Sequence, residues 1–335
     1  MMFSMKNYDT LIASIKNYEA FIGQISYNEP LSTKTTFKVG GTADLFIKPQ
    51  NYYSFQIALS NLLATNTPFF ILGGGSNVVF TDEPLHCAVL STADFSSVDK
   101  MAFKDLPMDF EKRDFPKDKI LITCFSGTPI AALVNYCKEH NISGVEQFAG
   151  LPGSVGGATY MNARCFDKSI SDIIYYTTHM NLDKDKVELE HNLFNPLDWD
   201  YKRSPFQNGN KFITTVTFLL DQKTAKDKST IEADCKKYID ERVSKGHFKF
   251  PSAGSVFKNN RDFGKPSGMI IDEAGLRGYT IGGAKIADFH GNFIINFNNA
   301  TSCDIKKLVD FTKNEVKNKY GFLLEEEIIF VDNKL

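Results

Sequence analysis

Three glycine-rich turns, each set beside apolar strand-like runs, constrain this chain more than any other feature. The run 69–72 is closed by Gly73-Gly74-Gly75-Ser76-Asn77. Farther along comes Gly150-Leu151-Pro152-Gly153-Ser154-Val155-Gly156-Gly157, with Pro152 stiffening its entry. A third turn, Lys38-Val39-Gly40-Gly41, opens the region. Glycine permits positive φ and leaves no Cβ in the way, so such turns can aim consecutive backbone N–H groups at a phosphate. A single three-glycine turn is as often plain loop geometry. Two of them beside buried strands read as a clamp for an extended diphosphate, with the side chains of Ser76 and Asn77 adding hydrogen bonds.

The order of the remaining elements gives the fold class. An extended run at 44–48 leads into a helical pattern at 51–64, where Phe55, Ala58, Leu59, Leu62 and Leu63 recur at helical spacing. Strands are expected at 69–72, 78–81, 87–90 and 120–125, then a helix with Thr128 at its N-cap and Pro129 at its first position. Strand-like segments dominate from 173 to 220. Past 225 the texture changes: Ser229 and Glu232 form a capping-box signature, and helices at 267–274 and 304–319 stop at Gly275 and Gly321. Strands at 255–258, 293–297 and 328–331 interleave with them. This is α+β, not a regular βαβ alternation. Three parts are expected, at 1–95, 96–223 and 224–335. Between 96 and 119, Lys104, Asp105, Asp109, Glu111, Lys112, Arg113 and Asp114 crowd into a polar stretch that reads as a surface loop or hairpin tip.

Composition excludes several classes. A formal net charge of −2 with interspersed signs gives no nucleic-acid surface, so an anionic substrate needs a local cationic pocket. The six cysteines form no C-x-x-C pair, which disfavours a zinc site or redox dithiol and favours buried thiols. His86, His140, His179, His191 and His247 show no metal-ligand spacing. No apolar run approaches the ~20 residues of a membrane helix, and no signal-peptide core interrupts the start, so a cytoplasmic chain is expected.

The strings ILGGGSNVVF and AGLPGSVGGATYMNA resemble the FAD-binding domain of the vanillyl-alcohol-oxidase-like flavoproteins. With TTFKVGGTADLF, PSAGSVFKN, IDEAGLRG, IGGAKIADFHGNFIIN and LLEEEIIF added, the chain resembles the UDP-N-acetylenolpyruvoylglucosamine reductase family from about residue 31 to 331. The short passage from Phe206 to PSAGSVFKN is similar to the subgroup without an extra substrate-covering tyrosine loop. The resemblance implies a two-part FAD-binding domain followed by a C-terminal α+β substrate-binding domain. It implies noncovalent FAD held by Gly73, Gly74, Gly75, Ser76, Asn77, Gly150, Pro152, Gly153, Ser154, Gly156 and Gly157. It also implies NADPH as co-substrate and a UDP-linked enolpyruvyl sugar as substrate, with no nucleic-acid or membrane partner. A monomer is the expected assembly.

The family reaction adds a hydride and a proton across an enolpyruvyl double bond, so negative charge builds beside the substrate carboxylate and must be neutralised. Ser255 matches the family's proton donor, although a serine in a short strand is usually just a strand-edge residue with a backbone hydrogen bond. Glu327 matches its catalytic glutamate. Strand alternation would put Glu325 and Glu327 on one face and Glu326 on the other. The family motif Tyr-Arg-x-Ser-x-Phe reads here Tyr201-Lys202-Arg203-Ser204-Pro205-Phe206. Lys202 holds the arginine position and is expected to meet the carboxylate, with Tyr201 and Arg203 on the opposite strand face. A one-residue slip at Pro205 would turn Arg203 inward instead. Arg164 and Asp167 replace family glycines after the second flavin loop, with Cys165 between them expected to be buried and inert. His290 is held as structural. The rivals are a flavin-dependent alcohol or aldose oxidase of the same superfamily and a binding protein that keeps the fold without catalysis.

Overall fold

The protein is seen in a computed structural model that describes residues 8–101, 116–182, 187–224 and 227–334. The polar stretch around Lys104 to Asp114 lies outside them. The chain divides into two compact units that are not consecutive segments. One takes Met1–Ile25, Ile47–Gly74 and Leu90–Asp240; the other takes Ser26–Phe46, Gly75–Val89 and Glu241–Leu335.

The first unit is built on a six-stranded sheet. Its order is Glu188–Leu193, Ile174–Asn181, Lys211–Gln222, Lys119–Phe125 and Val98–Met101, with Ile142–Ser143 also pairing the Lys211–Gln222 strand. Its ladders are antiparallel, in keeping with the absence of a regular βαβ alternation in the sequence. Ile122, Cys124, Val216 and Phe218 from the sheet meet Leu133, Val134 and Cys137 from the helix Ile130–Glu139 in one core. Burial of such side chains contributes roughly 1.5–3 kcal/mol each, which is why that helix carries its stripe at three- and four-residue spacing. The helix begins after Pro129, so Thr128 is not its N-cap. Thr128 Oγ1 instead donates to Ser97 O at 2.7 Å and accepts from Ser97 N at 3.1 Å. The helix Tyr52–Ala64 is capped by Asn51, whose side chain accepts from Ser54 N.

In the second unit an antiparallel sheet runs in the order Ser252–Ser255, Phe293–Asn296, Ala284–Ile286, Thr280–Ile281. The helices Ser267–Glu273 and Ser302–Tyr320 share its core, and Ile329–Val331 pairs in parallel with Val78–Phe80. The long helix starts at a capping box of Thr301 and Asp304 and ends at Gly321 in the left-handed region. The helix Lys228–Ser244 begins before Ser229, so the expected capping box there sits inside the first turn.

Candidate active site

The two long glycine loops meet in the first unit. Gly74 N donates to Ser154 Oγ at 3.2 Å. A Cβ on Gly74 would fall 2.5 Å from Gly153 Cα, and one on Gly73 would fall 2.7 Å from Ser154 Oγ. At Gly74 backbone lies on backbone, and at Gly73 the Ser154 hydroxyl fills the space a Cβ would take. Ser154 is the N-cap of the short helix Val155–Tyr160 and also accepts from Gly157 N at 3.3 Å, so one hydroxyl ties both loops. Gly150 and Gly153 adopt φ of 75° and 110°, and Pro152 is exposed between them. Beside Gly156, whose N–H donates to Ser126 O at 2.7 Å, the buried Ser126 Oγ and Thr159 Oγ1 on the helix have no hydrogen-bond partner among the described residues. Unpaired buried hydroxyls next to a glycine cradle fit a ligand rich in acceptor oxygens.

The segment that carries the basic pair is a turn and not the strand expected from alternation. Asp200 N donates to Arg203 O at 3.2 Å and Arg203 N to Asp200 O at 3.0 Å, leaving Tyr201 and Lys202 at the tip. Lys202 has φ of 57°, a left-handed conformation that costs a non-glycine residue about 1–2 kcal/mol. Tyr201 and Arg203 are exposed and Lys202 is half-buried, its Nζ lying 5.9 Å from the Tyr201 ring centre. The pair therefore separates by burial, not by strand face. Pro205 produces no slip of the kind considered, because no strand runs there.

Ser255 and Glu327 come together in the second unit. The strand ends at Ser255, where the sequence pattern had placed its start, and a bulge separates Ser252 from Ser255 along the Phe293–Asn296 strand. Gly254 has φ of 76°, and an added Cβ there would find no atom within 4 Å. Glu327 N donates to Val256 O at 2.7 Å, tying the glutamate to the residue after Ser255. Asn292, buried, clamps the next residue from both sides: Phe257 N donates to its Oδ1 at 2.8 Å and its Nδ2 donates to Phe257 O at 2.8 Å. Ser255 does end an edge strand, opposite Phe293, and its half-buried hydroxyl makes no hydrogen bond among the described residues. The acidic triplet is irregular backbone and not a strand. Glu326 bridges Phe257 and pairs with Lys313 at 2.8 Å, and exposed Glu325 pairs with Lys258 at 2.5 Å. Strand alternation therefore does not sort the three acids.

Asn77 has a second task in the same unit. Its Nδ2 donates to Glu327 O at 2.9 Å while its own carbonyl accepts from Ile329 N at 2.9 Å. Half-buried Ser76 follows Gly75, whose φ of 64° brings the chain against Lys34, where an added Cβ would lie 2.0 Å from Lys34 O.

The model of the UDP-N-acetylenolpyruvoylglucosamine reductase C-terminal domain matches residues 246–331, the stretch holding Ser255, Asn292 and Glu327. A Treponema denticola protein named UDP-N-acetylenolpyruvoylglucosamine reductase is 38% identical, covering 92% of this chain and 94% of its own. One from Borrelia garinii subsp. bavariensis is 40% identical, with 90% and 91% covered. This chain belongs to the UDP-N-acetylenolpyruvoylglucosamine reductase family. The crystal structure of the Thermus caldophilus enzyme of that kind, 26% identical, matches with a TM-score of 0.69 over 92% of this chain and 99% of that one. Family membership makes the chain an oxidoreductase of α+β fold.

Against the family pattern, Arg164 to Asp167 follow their own course. Arg164–Cys165 and Lys168–Ser169 pair antiparallel around a two-residue turn at Phe166 and Asp167, with φ of 47° and 64°. Positive φ at both central residues is the type I′ pattern that ordinarily selects glycine or asparagine. The Phe166 ring packs at a tilt against Tyr238, centroids 4.7 Å apart, which anchors the turn. Cys165 is half-buried, not fully buried as expected, and is a free thiol. His290 Nδ1 accepts from Asn292 N at 3.1 Å, and burial lowers its pKa, so it stays neutral and braces the Asn292 clamp. No helix among the described residues is long and apolar enough to cross a membrane.

Sequence reasoning missed Asn292 and Gln207. Asn292 lay inside a quoted motif string without a role. Gln207 carried no periodicity or composition signal at all.

Proposed function

We propose that this family member is an NADPH-dependent, FAD-containing reductase that converts UDP-N-acetylglucosamine enolpyruvate to UDP-N-acetylmuramate for peptidoglycan precursor synthesis. FAD bound in the glycine cradle would supply the hydride chemistry that NADPH feeds, directed at the methylene carbon of the enolpyruvyl group. The loops Gly73–Asn77 and Gly150–Gly157 hold its diphosphate through backbone N–H groups, with Ser126 and Thr159 as free buried hydroxyls alongside. Lys202 neutralises the substrate carboxylate as charge builds on it; its partial burial, against the exposure of Arg203, supports that choice. Ser255 Oγ–H gives its proton to the carbon beside the carboxylate, completing the two new C–H bonds as the double bond is lost. Glu327, with its carboxyl protonated, would donate a hydrogen bond to the developing charge.

The observation that carries this reading is Ser255, half-buried with no side-chain hydrogen bond among the described residues, in a backbone joined to Glu327 by the Glu327 N to Val256 O bond. The test separates the half-reactions. Ser255→Ala should leave reduction of the flavin by NADPH nearly intact and slow its reoxidation by the enolpyruvyl sugar by at least ~10²-fold. Equal slowing of both steps would assign Ser255 a structural role, and rapid reoxidation by dioxygen would favour the oxidase rival. Acid precipitation should release all the flavin, since no covalent link is involved. The cytoplasm is the proposed location, a compartment in which six free cysteines, four of them buried, stay reduced. The three-part division and a monomeric assembly complete the reading.

A further inference from the structure

The turn that presents Lys202 is fastened from one side by the chain that follows the second flavin loop. Asn162, buried and itself left-handed at φ of 40°, donates from Nδ2 to Asp200 O at 2.8 Å and accepts from Ser171 N at 3.2 Å. Ser204 Oγ donates to Tyr160 O at 2.6 Å. Gln207 Nε2 donates to two carbonyls at once, Tyr160 O at 2.9 Å and Lys202 O at 3.0 Å. Of these side chains, Gln207 alone bonds the left-handed residue. A backbone in a sparsely populated region persists where its surroundings over-determine it, and such places gather at functional sites. Nothing in a turn of this kind needs a lysine at its strained position, where glycine is the easy choice. Lys202 occupies that position with its carbonyl tied down, so the tie holds the backbone from which its stem leaves.

We propose that Gln207 is a positioning residue for Lys202, holding the left-handed turn so that the lysine ammonium stays aimed at its anionic target. The proposal rests on the reading that Lys202 meets the substrate carboxylate. Asn162 and Ser204 fix the two ends of the same bracket, at Asp200 and Tyr160, and Gln207 closes it on Lys202 itself.

The test is a double-mutant cycle on the flavin-loaded protein, read in both half-reactions. Gln207→Ala should slow flavin reoxidation by the enolpyruvyl sugar about 10-fold or more, the scale of a small misplacement of a charged group. Reduction by NADPH, the flavin content and the melting temperature should stay near parent values, which a general loosening of the unit would not allow. Gln207→Glu keeps the shape but turns an oxygen toward two carbonyls, so it should show the same loss and serves if the alanine variant folds poorly. The deciding arm is Lys202→Ala with and without Gln207→Ala. If Gln207 acts through Lys202, the double variant is no slower than Lys202→Ala alone. Fully multiplying losses, or a Gln207→Ala protein at the parent rate, overturn the positioning role while Lys202→Ala remains slow. A Lys202→Ala protein that reoxidises at the parent rate instead removes the Lys202 assignment, and the positioning role with it.

Discussion

Gly74→Ala tests whether the two flavin loops depend on each other. The added Cβ would lie 2.5 Å from Gly153 Cα, 2.7 Å from Gly153 C and 2.8 Å from Ser154 N. Carbon atoms in contact prefer about 3.5–4.0 Å, so the overlap is on the order of 1 Å, and every atom it meets is backbone. No side chain can swing aside, so a loop must move. Overpacking of this kind typically costs about 1–3 kcal/mol. The same shift stretches the hydrogen bond from Gly74 N to Ser154 Oγ, already 3.2 Å long, worth about 1 kcal/mol more. A total of roughly 2–4 kcal/mol should lower the melting temperature by roughly 5 °C or more. FAD affinity, followed by fluorescence titration of protein stripped of flavin, should fall at least ~10-fold as the cradle widens. Gly157→Ala is the contrast. Its Cβ would meet only Ser154 Oγ, at 3.3 Å, and alanine is favoured over glycine in a helix by roughly 0.5–1 kcal/mol. That variant should melt at or above the parent temperature yet hold FAD less tightly, because the methyl group fills the open face of the cradle. The reasoning is refuted by a Gly74→Ala protein that melts with the parent and takes up FAD with parent affinity. Parent-like FAD binding by Gly157→Ala would remove Gly157 from the cradle.

Three further outcomes are expected. Lys202→Ala should cost roughly 2–4 kcal/mol of transition-state stabilisation in flavin reoxidation by the enolpyruvyl sugar, Lys202→Arg should be tolerated, and exposed Arg203→Ala should be mild; stopped-flow rates in the reversed order would hand the role to Arg203. Asp167→Gly should raise the melting temperature by a degree or two, since it relieves a left-handed turn residue at φ of 64° and gives up only an exposed ion pair to Arg164 at 3.4 Å, and a lower melting temperature would credit that pair instead. Burial, reinforced by Lys211, pushes the His179 imidazole down to about 4, so its neutral form belongs to the fold. That contribution is present above the ordinary histidine value near 6.5 and is lost as pH falls from there toward 4, by at most about 3 kcal/mol. Urea midpoints at pH 7.5 and pH 5 should therefore differ less in His179→Phe than in the parent, and an unchanged difference would show that His179 titrates normally.

The regular elements were legible because their signals are local. Gly321 at a helix end, Asn51 at a helix start and the spacing of Phe55, Ala58, Leu59 and Leu62 each state their geometry within a few residues. The glycine loops were legible for the same reason: glycine marks a place where backbone must approach something closely. What it approaches was not written there. Each loop was read as facing a ligand, and the fold shows Gly74 pressed against Gly153 as well.

Where local signals were weak, the period misled. Tyr201 to Phe206 and Glu325 to Glu327 alternate well enough for strands, yet neither segment finds a ladder partner along its length. One closes into a turn under the carbonyl bonds of Asn162 and Gln207, and the other is pinned by Lys258 and Lys313. Hydrogen bonds between residues distant in sequence decide such cases, and no window of residues contains them. By itself the sequence determined the α+β class, most of the helices and strands with a strong local signal, and the close backbone approach at the glycine loops, and it singled out Ser255, Glu327 and Lys202 as motif positions. The tertiary structure alone decided that the Ser255 backbone is joined to that of Glu327, that Lys202 sits strained at the tip of a clamped turn, and that Asn77 fastens Glu327. Those facts rest on Asn292 and Asn77 reaching backbone groups far along the chain, and on Gln207 joining distant Tyr160 O to nearby Lys202 O, partners that packing brings within 3 Å.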